Sequence, residues 1–109
     1  MPMFLTIGYG DQAGYDATQV AVRNAAHAHD EQLRQRGAVM GVAGSPVQVR
    51  NWDDQNVQVE HKAFMTSALP VAGFAMIEAA TIEDAISLVS KVPCAVAQGV
   101  VEIWPLNEM

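Results

Sequence analysis

Residues 72–78, with the sequence AGFAMIE, decide the fold of this chain. Side chains along a strand alternate between its two faces, so Phe74 and Met76 share one face and Ala75 and Ile77 share the other. Both faces of this predicted strand are therefore apolar. A sheet that is covered by helices on one side only is expected to alternate apolar with polar residues instead.

Working outward from this strand, the same alternation predicts the rest of the sheet. Residues 3–9 and 100–104 are also largely apolar on both faces, and residues 38–43 predict a further strand. Two short extended pieces, 47–50 and 57–60, flank a polar turn and predict a hairpin. We expect the last strand to be closed by Pro105.

Two helices are predicted between the strands. The first begins at Asp16, which stands in capping-box register with Gln19, and it ends at Gly37, which suits a left-handed C-terminal cap. The second begins at Thr81 and is stopped by Pro93. The order β-α-β-(β)-α-β predicts an α+β fold, and specifically a ferredoxin-like sandwich with two helices on one face of a mainly antiparallel sheet.

The second apolar face of the sheet needs a cover that one copy of the chain does not supply. Phe74, Met76 and Trp104 are predicted on this face and are costly to leave in water. A homodimer with sheet packed on sheet is the simplest arrangement that covers them. The alternative is an exposed face with scattered apolar residues, which soluble proteins commonly tolerate.

Length and composition exclude several classes of protein. A chain of 109 residues predicts one domain over residues 1–109. The net charge of −6 argues against binding to nucleic acids and to anionic membrane surfaces. A single cysteine, Cys94, excludes an internal disulfide and a multi-cysteine zinc site. The N-terminal stretch lacks the basic start of a signal peptide, so a cytoplasmic protein is expected.

Four short motifs follow one another in the C-terminal half, and a fifth lies near the N-terminus: GFAMIE at 73–78, IEDAI at 82–86, Val-Pro at 92–93, VEIWPL at 101–106 and YGD at 9–11. In their order and spacing these motifs resemble the DGPF-domain branch of the YCII-related family. The resemblance extends more loosely over most of the chain. The resemblance implies a dimeric α+β barrel. It also suggests an activity class, because relatives include a dehydrochlorinase of a chlorinated hydroxyquinol and similar folds include lactone isomerases.

The chain departs from this family at the motif that names it. Phe64 stands nine residues before Gly73, which is the spacing of the phenylalanine in D-G-P-F, so His61 replaces the aspartate. The histidine that relatives carry in their first helix falls on Ala26, one residue before His27. The polar residues linked to activity in the relatives are therefore not found at the corresponding positions of this chain.

His29 and Asp30 are the first candidate site residues. Five residues, His29 in their middle, fall on one predicted apolar arc of the first helix: Val22, Ala25, Ala26, His29 and Leu33. A buried neutral histidine can act as a general base, and Asp30 at the edge of this arc can orient an imidazole. The alternatives are a packed histidine bonded to a backbone carbonyl and a solvated aspartate.

His61 and Glu102 are the other candidates. With Lys62, His61 can supply a donor at the mouth of a pocket, or it is an ordinary surface loop residue. Glu102 falls between Val100 and Trp104 on the second sheet face, where a carboxylate must be paired, protonated or exposed to water. It is therefore a candidate general acid or base, or a salt-bridge partner at the rim.

No cofactor is expected. His27 and His29 are about 200° apart around a helix, so they cannot share one metal ion. Cys94 has no basic neighbour except Lys91, which favours a packed thiol over an activated one. Phosphate-binding loops and glycine-rich nucleotide motifs are absent from the sequence.

Two functions remain open at this point. The first is a non-catalytic module of a homodimer that binds a small molecule or serves assembly, as the replaced D-G-P-F motif suggests. The second is a cofactor-independent lyase or isomerase acting on a small aromatic or lactone-like substrate. Its base is His29 or His61, assisted by Asp30 or Glu102.

Overall fold

The computed structural model describes residues 1–109 and confirms the α+β class: helices pack on a four-stranded antiparallel sheet. A separate two-stranded hairpin stands beside this sheet. The strands are β1 Met3–Tyr9, β2 Val39–Val42, β3 Gln48–Arg50, β4 Gln58–Glu60, β5 Val71–Glu78 and β6 Val100–Leu106. The helices are α1 Gln12–Ala17, α2 Val20–Gln35, α3 Ile82–Val89 and α4 Pro93–Val96, with a short 3-10 turn at Trp52–Asp54.

Strand β1 lies inside the sheet, whose order is β2-β5-β1-β6. Thr6 of β1 is opposite Ala75 of β5 on one side and opposite Ile103 of β6 on the other. All three strand pairs are antiparallel, and β2 extends the sheet beyond β5. The sheet thus joins segments from both ends of the chain through its first strand.

The hydrophobic core lies on the helix side of the sheet. Phe4 of β1 and Ile77 of β5 are opposite each other and pack with Ala85 and Val89 of α3. Ala85 is fully buried, and a small side chain at this position lets the helix approach the sheet closely. Ala85 therefore serves the contact between α3 and the sheet.

The predicted first helix is two helices, because the chain turns at Thr18. Thr18 is extended, its hydroxyl donates to the carbonyl of Gly14 at 2.9 Å, and its amide donates to the carbonyl of Tyr15. The predicted cap at Asp16 is wrong, because Asp16 lies inside α1. Asp11 caps that helix instead, by accepting a hydrogen bond from the amide of Gly14.

Other helix and strand ends agree with the sequence in part. Gly37 has the predicted left-handed conformation after α2, with φ of 101°. Pro93 does not only stop a helix, since it also begins α4 at a position where its missing N–H costs nothing. Pro105 does not close the last strand. It lies within β6, which is an edge strand and tolerates a residue without an amide proton.

The apolar arc predicted for the first helix is only partly buried. Ala26 and Leu33, two turns apart on α2, are buried and His29 is half-buried. Val22 and Ala25 are exposed, so burial favours the C-terminal half of this helix.

The side of the sheet away from the helices is apolar and uncovered in the single chain. Strand pairing places five residues on this open face: Leu5, Ile7, Phe74, Met76 and Trp104. Phe74 is 46% exposed and Trp104 is 52% exposed. The predicted placement of Phe74, Met76 and Trp104 on one face is therefore correct.

Residues 47–64 form a projecting hairpin arm, in which β3 and β4 pair as the sequence predicts. Val49 is opposite Val59, and both are exposed, as are Trp52 and Phe64. The arm gives the molecule an elongated shape of 53 × 35 × 20 Å. Its residues add nothing to the buried core of the sheet.

Gly99, just before β6, permits the closest backbone contact in the fold. A Cβ atom here would meet the backbone carbonyl oxygens of Tyr9 and Cys94, the latter at 2.5 Å. We expect Gly99→Ala to lower the free energy of unfolding by about 1–3 kcal/mol, the usual cost of overpacking. Urea denaturation measures the change. Gly44→Ala, where a Cβ meets nothing within 4 Å, is the control, and an equal loss in both variants would contradict this account.

Candidate functional site

Two adjoining cavities lie between the sheet and its helices. The inner cavity, of about 100 Å³, lies under α2 and α3 and is lined mainly by apolar residues, with Asp30 and Cys94 among its polar atoms. The second, here called the cleft, is about 590 Å³ and is bordered by α1, α2, α4 and the ends of β2 and β5. Both cavities are lined by Gly41, Gly73, Pro93 and Cys94. They are therefore neighbouring parts of one site.

Asp30 is the predicted residue that the structure places in the inner cavity. Burial raises the pKa of its carboxyl above the ordinary value, and the charges of Arg34, His27 and His29 offset this only in part. The carboxyl therefore holds its proton more readily than an exposed aspartate does, and as a protonated acid it is a hydrogen-bond donor.

Cys94 shares this cavity with Asp30. Burial raises the pKa of the thiol, and the negative charge of Asp30 raises it further. The thiol is thus kept protonated, which agrees with the sequence-based expectation of a packed, unactivated cysteine. It acts as a small, weakly polar wall of the site.

The cleft contains a hydrogen-bonded pair that the sequence analysis did not predict. The hydroxyl of Tyr15 on α1 lies 2.8 Å from Nε2 of His27 on α2. The Arg23 guanidinium lies over the Tyr15 ring, 4.6 Å from its centroid. The direction of this bond depends on the tautomer: when Nε2 donates to the tyrosine oxygen, Nδ1 of the neutral imidazole is a free acceptor, and a histidine of this kind at a cleft can take a proton from a bound molecule.

His29 is held by the backbone. Its Nε2 lies 2.5 Å from the carbonyl oxygen of Leu88, and since a carbonyl only accepts, Nε2 donates. This nitrogen cannot take up a proton while the bond lasts. The ring lines neither of the two cavities, so the geometry resembles the packed histidine considered above.

His61 lies at the end of β4 on the hairpin arm and is exposed. The neighbouring carbonyls of Lys62 and Ala63 accept hydrogen bonds from the Gln48 side chain, at 3.1 Å each. A shallow cavity on the arm is lined by Lys62 and Phe64 but not by His61. The structure therefore does not bring His61 to either of the cavities beside the sheet.

Glu102 lies on the open face, on the opposite side of the sheet from Asp30. Its Oε1 accepts a hydrogen bond from the Tyr9 hydroxyl at 2.6 Å, and the indole nitrogen of Trp104 lies 3.5 Å from the same oxygen. This hydrogen bond, then burial and the charge of Glu102, raise the pKa of Tyr9. Tyr9 therefore stays a protonated donor, and Glu102 is paired rather than free.

The structure thus separates the four predicted residues. Only His29 and Asp30, neighbours in sequence, lie close together, and Asp30 has His27 one helical turn before it. That i, i+3 spacing of His27 and Asp30 was visible in the sequence and places the two on neighbouring positions of one helix surface. The contribution of Tyr15 depends on the turn at Thr18, which no periodicity signals.

Comparison with known protein families and with curated proteins finds no match for this chain. The resemblance to the YCII-related family therefore stays a prediction. No three His, Cys, Asp or Glu side chains come together as a group that could hold a metal ion. None of the helices combines the length and apolar character that a membrane crossing requires.

The raised pKa of Asp30 makes a testable contribution to stability. A carboxyl whose folded pKa lies above its ordinary value of 3.8 binds more protons when folded, so its stabilising effect is complete below that pH and is lost as the pH rises through the folded pKa. Asparagine does not titrate, so the Asp30→Asn variant does not lose stability in this way as the pH rises. We expect the variant to gain unfolding free energy relative to wild type between about pH 3 and neutrality.

Urea denaturation at the two pH values measures this gain. Asp53→Asn, in the exposed turn of the arm, removes the same formal charge and is the control. A difference between wild type and Asp30→Asn that is the same at both pH values would show that burial does not perturb Asp30.

Proposed function

We propose that this chain is a small-molecule-binding module that works as a homodimer in the cytoplasm. The observation that carries the proposal is the joined pair of cavities between sheet and helices. Apolar residues dominate the inner cavity, and a few polar groups converge on the site from different elements: Tyr15, His27, Asp30 and Cys94. A concave, mostly apolar site with few polar groups is the usual form of a ligand pocket.

The walls of the site favour a small, largely apolar ligand. The cleft, at about 590 Å³, lies within the range of small-molecule pockets. Burial raises the pKa of Asp30 and of Cys94, so charge is less favoured in the inner cavity than in water, and a mainly apolar molecule suits the inner end. The His27–Tyr15 pair can bond to a carbonyl or hydroxyl group at the mouth. An aromatic or lactone-like molecule meets these requirements.

The strand order supports the finer fold and the assembly within this proposal. With the arm set aside, the chain runs β-α-β-β-α-β and its sheet has the order β2-β5-β1-β6, as expected for a ferredoxin-like sandwich. The uncovered open face supports a second copy packed against it. Its apolar residues gain free energy when they leave water, at about 25 cal/mol per Å². Such a pair is a dimeric α+β barrel, as in the YCII-related family that the motifs resemble.

One observation favours a second candidate function, a cofactor-independent lyase or isomerase with a histidine base. His27 lines the cleft and bonds to Tyr15 through Nε2. In this candidate, His27 takes the role first assigned to His29 or His61, because His27 lines the cleft and the other two histidines line neither the cleft nor the inner cavity. Asp30, one turn along α2, is the assisting acid.

The homodimer is tested by light scattering at micromolar concentration. We expect about twice the chain mass of 11.7 kDa for the wild type. Phe74→Glu places a charge on the open face and is expected to give the single-chain mass. Phe64→Glu, on the arm and 77% exposed, makes the same chemical change off the open face and should stay dimeric. A wild type of single-chain mass would refute the dimer.

The binding site is tested with α-angelica lactone, a small neutral lactone with an acidic α-proton. Amide shifts on its titration are expected at Gly41, Gly73 and Cys94, the residues shared by cleft and inner cavity. Amide shifts confined to other residues, or no shifts up to the solubility limit of the lactone, would refute the site.

The same probe separates the two candidate functions. If the chain is a lactone isomerase, the wild type moves the double bond, and His27→Gln slows this by about 100-fold or more, the usual range for loss of a general base. If the chain is a binding module, the lactone isomerises with wild type or with His27→Gln only as fast as it does in buffer alone. Tyr15→Phe, which keeps the ring and removes the hydroxyl, reports whether the hydrogen bond to Nε2 positions the imidazole.

A further inference from the structure

A further cavity lies on the other side of the sheet from the cleft, where the chain returns from the hairpin arm into β5. Its volume is about 350 Å³. One wall is the segment 65–69, and the others are Tyr9, Val71, Val100 and Glu102. All of its walls come from one chain. We call it the Glu102 cavity.

Glu102 is the one ionisable acid in this cavity, and its bonding is one-sided. Tyr9 and Trp104 both approach Oε1, and no protein group donates to Oε2. No Lys, Arg or His nitrogen forms a salt bridge with the carboxylate. The hydroxyl of Ser67 in the cavity wall donates its hydrogen bond to the carbonyl of Leu69. The cavity therefore offers an acceptor with negative charge and few donors.

We propose that the Glu102 cavity binds a small organic amine in its protonated form. The ammonium group donates to Oε2 of Glu102, and the hydrocarbon part packs on Met65, Leu69 and Val100. A carboxylate among apolar side chains is stabilised by an opposite charge and by hydrogen bonds. The hydrogen bond from Tyr9 to Oε1 fixes the orientation of the carboxylate and leaves Oε2 for the ligand.

The apolar walls and the charge together set the ligand class. A carboxylate ligand is repelled by Glu102, and a neutral alcohol of the same shape can donate a hydrogen bond to it but lacks the positive charge that forms an ion pair. A metal ion lacks partners, because no group of three suitable side chains exists here. An amine carried on a small ring or short chain satisfies both the acceptor and the apolar walls. This site is separate from the cleft, so it does not depend on the ligand proposed for the cleft. Because Glu102 lies on the open face, the site requires that the second copy in the proposed homodimer leaves the cavity accessible.

The experiment compares three probes of one shape on the full chain at neutral pH: benzylamine, benzyl alcohol and benzoate. Binding is followed by the indole N–H signal of Trp104 and by the amide signals of Glu102 and Leu69. We expect benzylamine to bind about tenfold more tightly than benzyl alcohol, since a charge-assisted hydrogen bond contributes that much. Benzoate is expected not to bind.

Two variants with the same change in net charge locate the effect. Glu102→Gln should reduce benzylamine affinity by about tenfold and reduce benzyl alcohol affinity much less, because the glutamine still offers an acceptor oxygen to the hydroxyl. Glu78→Gln, exposed at the end of β5, should leave both unchanged. Equal losses in the two variants would show only general attraction to an acidic protein and would overturn the proposal.

A measurement on the wild type keeps the test independent of how the variants fold. Added salt should weaken benzylamine binding and leave benzyl alcohol binding unaltered, because only the first is ionic. Equal binding of amine and alcohol would overturn the proposal. So would benzylamine shifts that avoid Glu102 and Leu69, including the case in which a second copy covers the cavity and excludes the probe.

Discussion

The pairing of β1 with both β5 and β6 is the constraint on which the other features depend. β1 comes from the start of the chain, β6 from its end, and the register of each pair fixes which residues share a face. Phe4 and Thr6 point to the helices and are buried, while Leu5 and Ile7 point to the open face. A slip of one residue in β1 would exchange these sets and remove the core.

This division by faces also separates the two chemical environments of the chain. On the helix side, Asp30 and Cys94 line a small, mainly apolar cavity, and burial raises the pKa of both groups. On the open face, Glu102 accepts a hydrogen bond from Tyr9. The sheet therefore separates these two acidic side chains.

The depth of the inner cavity follows from a close approach of α4 to β1. A Cβ atom on Gly8 would lie 2.8 Å from the Cys94 sulfur, so the thiol occupies the place of a side chain that β1 lacks. A larger residue in β1 would displace α4 and with it the wall shared by the cleft and the inner cavity. Glycine here has a packing role rather than a conformational one.

The sequence predicted those features that depend on local pattern. The alternation in residues 72–78 identified β5 and the apolar pair Phe74 and Met76, and Gly37 marked the end of α2. The break at Thr18 was missed because a side-chain hydrogen bond to Gly14, not periodicity, ends α1 there. Pro105 was placed outside the last strand because its tolerance depends on β6 being an edge, which is a property of the whole sheet.

The candidate site was less predictable than the fold, for a related reason. Asp30 was selected for its place at the edge of the apolar arc and Glu102 for its place on the second sheet face, and each lies in a cavity, but on opposite sides of the sheet. His27 was set aside because it points away from the predicted core face. Whether an exposed helix position borders a cleft depends on α1 and α4, whose positions come from long-range packing. A helical wheel contains no information about those neighbours.

The hairpin arm has a consequence for how the sequence of this chain can diverge in evolution. Its exposed residues, His61 and Phe64 among them, take no part in the core, so most replacements there leave the free energy of unfolding nearly unchanged. Residues 61–64, which correspond to the D-G-P-F motif in the predicted resemblance to the YCII-related family, lie in the arm. Substitutions accumulate most readily where few contacts penalise them, and a protein of this shape loses its recognisable signature before it loses its architecture.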